Sequence, residues 1–206
     1  MNNMKCYTPS DLGQMDKFYR ANFVNSLSGV KSANLVGTKG RNGIENLAIV
    51  SSVFHIGANP PLMGVLMRPH TVPRDSLQNM KETGLFTLNH VNSSIAQAAH
   101  QTSARYPEDE SEFSATGLTP FYSHEFKAPY VQESHLRIGL EVQDIQKLDI
   151  NQTELVIGQI VEVFVDENIV STTGYLDIEA IDTIGVTGLD SYHKIQRIAQ
   201  YEYAKA

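Results

Sequence analysis

Four apolar residues, Leu136, Ile138, Leu140 and Val142, alternate with Arg137, Gly139, Glu141 and Gln143. A period of two places successive side chains on opposite faces of a strand, so this run has one buried face and one wet face. Asp149 to Gln152 reads as a turn, and Thr153 to Asp166 returns as a partner strand. That partner is apolar on both sides, with Leu155, Ile157, Val161, Val163 and Val165 on one face and Val156, Ile160 and Phe164 on the other. An isolated antiparallel sheet leaves one face in water and forgoes roughly 1.5–3 kcal/mol per large side chain. Both faces therefore need cover, and a second subunit is a candidate for one of them.

Further β signals lie upstream. Asn42-Gly43 tolerates positive φ at both positions, so Ala33 to Thr38 and Ile44 to Phe54 are predicted to form a hairpin around a solvated loop, Thr38 to Gly43. Leu62 to Met67 reads as a third strand after a proline pair, and Phe86, Leu88 and Val91 as a short fourth. Helices are expected over Asp16 to Val24, with Phe18, Tyr19 and Phe23 as apolar contacts, and from Asn92 or Ser93 through about Ala104. The acidic run Glu108 to Glu112 reads as a solvated helix start. The pattern describes one antiparallel β-barrel with peripheral helices, a single domain over residues 1–206 with an N-terminal extension over 1–32.

Composition narrows the function classes. The 206 residues are long enough to bury a full core, and 41% hydrophobic with 19% charged residues is globular. A net charge of −7 argues against a nucleic-acid partner. The one cysteine, Cys6, has no internal partner for a disulfide, and no stretch is apolar enough to span a bilayer or serve as a signal peptide. A cytoplasmic protein without membrane partners is expected. The seven histidines show no i,i+4 pair and no partnering cysteine, so no metal site is expected. The loop Gly37 to Gly43 lacks the Gly-Lys-Ser/Thr ending of a phosphate loop, and neither Gly-x-Ser-x-Gly nor Gly-x-Gly-x-x-Gly occurs.

The segment Met67 to Asn89 carries the chemistry. Arg68 and Arg74 lead into a helix expected to be capped by Asp75, with Gln78 placed to complete a capping box, Leu77 and Met80 on its apolar side and Gly84 as its stop. A helix start presents unpaired N–H groups and favours an anion. Arg74 adds a planar fork able to hold two phosphate oxygens, and Ser76 a hydroxyl that donates a third bond. An ordinary capped helix with exposed arginines is the alternative reading of this segment taken alone.

The order of motifs decides between them. "Asn-x-Ala-x-x-Ser-Ser" from Asn46, "Pro-Pro-Leu" from Pro60, "Arg-Asp-Ser-x-x-Asn-Met-x-x-Thr-Gly-x-Phe-x-x-Asn" from Arg74, and Glu154 to Val161 follow one another. More loosely, Tyr192 and Tyr203-Ala204 extend the likeness, to about residues 25–203. This chain resembles the flavin reductase-like family of FMN-binding split barrels, which usually has Thr where Ser76 stands. The resemblance implies FMN as cofactor and a homodimer with flavin sites at its interface. It brings Asn46, Ala48, Ser51 and Ser52 alongside the isoalloxazine and ribityl chain, where small residues allow close approach and Ser and Asn supply neutral donors and acceptors. A polar strand end is the alternative for Ser51 and Ser52. The resemblance also puts Asn89 and His90 near the site, with Arg68 ranked below Arg74 as a flavin contact.

The reaction implied is hydride transfer from NADH or NADPH to FMN, followed by electron release to an unidentified acceptor. Because the cofactor carries the redox chemistry, no catalytic acid or base is assigned. His193 is a further candidate contact, although a C-terminal clamp on the barrel suits that segment better. The alternative function is a flavin-binding electron carrier or ligand-binding module without NAD(P)H reductase activity. An oxidase resembling pyridoxamine-phosphate oxidase is disfavoured, since a second dense basic cluster for a phosphorylated substrate is lacking.

Overall fold

Two short helices open the chain, α1 (Pro9–Gln14) and α2 (Lys17–Leu27), followed by β1 (Lys31–Ser32), β2 (Asn34–Lys39), β3 (Glu45–Val50), β4 (Val53–Ala58) and β5 (Pro61–Met67). Helix α3 (Asp75–Thr83), β6 (Leu85–His90), α4 (Ala96–Gln101) and α5 (Glu112–Thr116) come next. Then come β7 (Pro120–Phe121), β8 (Tyr130–Val131), β9 (Arg137–Lys147), β10 (Glu154–Phe164), β11 (Ile184–Thr187) and β12 (Ser191–Lys194). This computed structural model describes residues 3–69, 75–107 and 109–205.

Seven strands form one antiparallel sheet in the order β3-β2-β6-β9-β10-β5-β4. The predicted Ile44 to Phe54 strand is in fact two, broken at Ser51-Ser52. That break makes the architecture. Strands β3 and β4 are consecutive in the chain yet stand at opposite edges of the sheet. Laid flat, seven strands spaced ~4.8 Å apart would separate those edges by roughly 29 Å, whereas three Cα steps reach about 11 Å. The sheet must therefore coil until its two edges touch at this corner. Among the described residues no ladder joins β3 to β4, so the barrel is split rather than closed.

One core cluster fills the coil, with Val36, Leu88, Ile138, Leu140, Val65 and Val156 buried together. Helix α3 adds Leu77 and Met80 to it, 2% and 1% exposed. On the far side of β2 and β3, Leu35, Leu47 and Val91 pack with Ile95, Phe113 and Ile184. At Gly158 a Cβ would lie 2.6 Å from the Phe86 ring, so the aromatic side chain packs flat on bare backbone there.

Several expectations change in three dimensions. The register of β9 on β10 shifts between Ile157 and Gly158 and again between Ile160 and Glu162. A bulge inserts a residue and breaks strict alternation. Val163 therefore pairs with Ile138 and Phe164 with Arg137, and the two-face assignment read along Thr153 to Asp166 does not hold past Ile160. Val161 and Val163 remain exposed. Helix α2 forms where predicted, with Asp16 accepting from the Phe18 and Tyr19 amides, but Phe18 and Tyr19 face outward; Phe23 packs on the Tyr7 ring. The α1 turn was not anticipated, although Thr8 and Asp11 bond each other's backbone amides as a capping box. Helix α4 ends at Gln101, short of Ala104. Gln78 donates to Glu82 at 2.5 Å instead of closing a capping box.

Candidate functional site

Helix α3 lies across β2 and β3 because Leu77 and Met80 anchor it in the core, and polar contacts then set its register. Asn79 Nδ2 donates to Thr38 Oγ1 at 3.1 Å, and Ser76 Oγ donates to Asn46 Oδ1 at 2.5 Å. Asn46 Nδ2 donates in turn to Glu112 Oε2 at 2.9 Å, and the same oxygen accepts the Leu47 amide at 2.9 Å. Strand β3 is a sheet edge, so its outward N–H groups need acceptors from elsewhere. Glu112 serves Leu47, and Thr102 Oγ1 serves Ile49 at 2.9 Å.

The expected helix start holds, since Glu112 opens α5 behind its Ser111 cap, but Glu112 is not solvated there. It is half-buried, and burial pushes its carboxyl above the usual range, opposed by the bonds from Leu47 and Asn46. Sequence reading missed both Glu112 and Thr102. The signal for them is not local, since it consists of unpaired donors on a strand whose edge position appears only after folding.

Asn46, Ala48 and Val50 share the face of Val36 and Thr38, since cross-strand partners point the same way. Ser51 and Ser52 form the corner where the sheet edges touch, both half-buried. Ser52 Oγ donates to the Leu66 carbonyl at 2.8 Å, while Ser51 Oγ has no hydrogen-bond partner among the described residues. Arg68 lies just past the end of β5, exposed, with Nη2 donating to Asn25 Oδ1 of α2 at 2.9 Å. Arg74 lies outside the described residues. Asn46, Ala48, Ser51 and Ser52 thus follow β3 to the corner, where Ser52 is bonded to β5 and Arg68 lies two residues past Leu66, while Ser76 of α3 is bonded to Asn46 at the other end of this border.

Asn89 and His90 stand apart from that border. Asn89 is fully buried, donating to Thr87 and the Leu35 carbonyl and accepting the Val131 amide. Its side chain holds β6, β2 and β8 together. His90 shares a cross-strand row with Asn34 and Val50. Its Nδ1 lies 3.0 Å from Thr183 Oγ1, and burial pushes the imidazole down to about 4. Asn34 in that row is 1% exposed, and its Oδ1 has no partner among the described residues. His193 pairs with Thr187 within the β11–β12 ladder at 2.8 Å.

A polar cleft of about 110 Å³ opens beside the start of α3, and Glu45, Asp75, Glu110 and Glu112 line it. Four carboxylates repel a phosphate, so this side of the helix start does not suit one. Lys39, expected as a solvated loop charge, instead donates to Tyr122 Oη at 3.1 Å and lies over that ring. Among the described residues no group of three or more His, Cys, Asp or Glu is placed to hold a metal ion, and no helix is long and apolar enough to cross a membrane.

Residues 30–180 match the model of the flavin reductase like domain. The chain belongs to the flavin reductase-like family. A split-barrel protein of Shewanella frigidimarina NCIMB 400, described as a candidate flavin reductase, superposes with a TM-score of 0.94 at 52% identity, covering 98% of this chain and 100% of its own. Nitrilotriacetate monooxygenase component B of Bacillus cereus has the same fold at a TM-score of 0.84 and 24% identity, over 98% and 100% of the two chains. An uncharacterised protein of Halalkalibacterium halodurans is 28% identical over 176 residues, 82% of this chain and 78% of that one. Membership of the flavin reductase-like family makes this chain a flavin-binding oxidoreductase with a split-barrel fold. The neutral donors and acceptors of Asn46, Ser51 and Ser52 along that border are of the kind the polar rim of a flavin takes.

Proposed function

We propose that this protein is an NAD(P)H-dependent flavin oxidoreductase that uses FMN and holds it along the border from Asn46 to Ser76. The observation that carries this reading is the corner at Ser51-Ser52. There the two sheet edges meet, beside the end of β5 and its Arg68. Bound FMN supplies hydride acceptance and electron release, and the protein supplies placement. Ser51, Ser52 and Asn46 offer neutral hydrogen bonds to the ring and ribityl chain. Asp75 and the three glutamates beside it exclude the phosphate from that side of α3, so it belongs on the side of Arg68, and Arg74 is the residue proposed to grip it. Ser76 spends its hydroxyl hydrogen on Asn46 and in that arrangement presents lone pairs, which suits a ribityl hydroxyl better than a phosphate oxygen. Exposed Phe54, Ile56, Val161 and Val163 supply apolar surface for a homodimer. One exposed cysteine, Cys6, suits the cytoplasm.

The test is the visible spectrum of the purified protein, followed by anaerobic addition of NADH and then NADPH. A yellow protein bleached by either nucleotide supports the reductase. Colour that neither nucleotide bleaches would assign an electron carrier instead, and a protein that binds no flavin would overturn the reading.

A further inference from the structure

We infer that Glu112 is a positioning residue for the flavin site, acting through the side-chain amide of Asn46. The inference rests on the flavin reading of the border along β3 and α3.

A carboxylate accepts hydrogen bonds and donates none. Glu112 Oε2 stands 2.9 Å from both Asn46 Nδ2 and the Leu47 amide. With Oε2 as the acceptor, the Asn46 amide has one orientation, Nδ2 toward α5 and Oδ1 toward α3. The Ser76 hydroxyl must then donate to Oδ1, as it does at 2.5 Å. Three elements far apart in sequence are tied in this order by one acceptor. Asn46 retains one amide hydrogen and one lone pair beyond these bonds, both in the plane of the fixed amide, and Ser76 retains only lone pairs. Glu112 therefore sets which donors and acceptors the border presents. The Leu47 bond adds rigidity, because it pins the same oxygen to backbone and prevents the carboxylate from following a rotating Asn46.

The experiment compares flavin binding by the full-length wild type, Glu112→Ala, Glu112→Gln, Asn46→Ala and the double variant Asn46→Ala with Glu112→Ala, titrated with FMN and riboflavin. Glu112→Gln keeps an oxygen able to accept both bonds, so its FMN affinity should stay within about threefold of wild type. Glu112→Ala frees the Asn46 amide and should weaken FMN and riboflavin alike, on the order of tenfold for one lost hydrogen bond and the ordering it imposes. In the Asn46→Ala background, Glu112→Ala should add less than about twofold. A residue that merely stabilises α5 would weaken binding equally with and without Asn46, and that result overturns the inference. Equal loss in Glu112→Gln and Glu112→Ala also overturns it, because charge rather than bond geometry would then matter. If Glu112→Ala does not fold, Glu112→Gln and Glu112→Asp carry the test, the first binding as wild type and the second, one methylene short, binding more weakly. Unchanged binding in all variants overturns the inference and leaves the flavin site standing, whereas a wild type that binds no flavin overturns both.

Discussion

Val50 and Val53 are three positions apart in the chain, yet they occupy opposite edges of a seven-stranded sheet. The bond from Ser52 Oγ to the Leu66 carbonyl fastens that corner from the β4 side. Ser52→Ala should cost about 1 kcal/mol of stability, the usual net worth of such a bond. Ser51→Ala removes a hydroxyl without a partner among the described residues and should leave stability nearly unchanged while weakening FMN and riboflavin equally. Urea unfolding alongside flavin titration separates the two, and a larger stability loss for Ser51→Ala would reverse the assignment.

Arg74→Ala set beside Lys39→Ala locates the phosphate. If Arg74 grips it, FMN affinity should fall on the order of ten- to a hundredfold, because charge-assisted bonds are worth roughly 1.5–3 kcal/mol each. Riboflavin, which has no phosphate, should bind as before. Lys39 is engaged with Tyr122, so its loss should lower stability slightly and leave the ratio of the two flavins unchanged. An FMN-specific loss in Lys39→Ala instead would move the phosphate to the hairpin side.

His90 makes stability pH-dependent in a defined window. Its pKa is about 4 when folded against 6.5 for the free side chain, because burial disfavours the charged imidazolium. Between those values the unfolded chain binds the extra proton, so stability falls as pH drops from 6.5 toward 4 and is unaffected by this group above 6.5. The loss by pH 5 is on the order of 2 kcal/mol. His90→Gln should flatten the difference between denaturation at pH 7.5 and at pH 5; an unchanged difference would mean that other groups set it.

The apolar surface near Phe54 and Val161 predicts a homodimer at micromolar concentration. Sedimentation should report about twice the chain mass, and Val161→Asp should shift the equilibrium toward monomer by burying an unpaired charge. A wild-type monomer would leave that surface for another partner.

Local periodicity was enough to read most of the strands, because alternation along Leu136 to Val142 and the Asn42-Gly43 turn depend on near neighbours alone. Motif order from Asn46 to Asn89 carried the family and with it the split barrel. What periodicity could not reach were the consequences of closing the sheet on itself. Whether Ile44 to Phe54 is one strand or two depends on which edges meet, and the faces of β10 depend on bulges set by its partner β9. The roles of Glu112, Asn89 and Lys39 were likewise decided by tertiary contacts. A carboxylate in an acidic run is solvated unless an edge strand 65 residues earlier in the chain offers it an unpaired amide. Such demands arise only when backbone donors lose water, and that happens in the folded protein rather than along the chain.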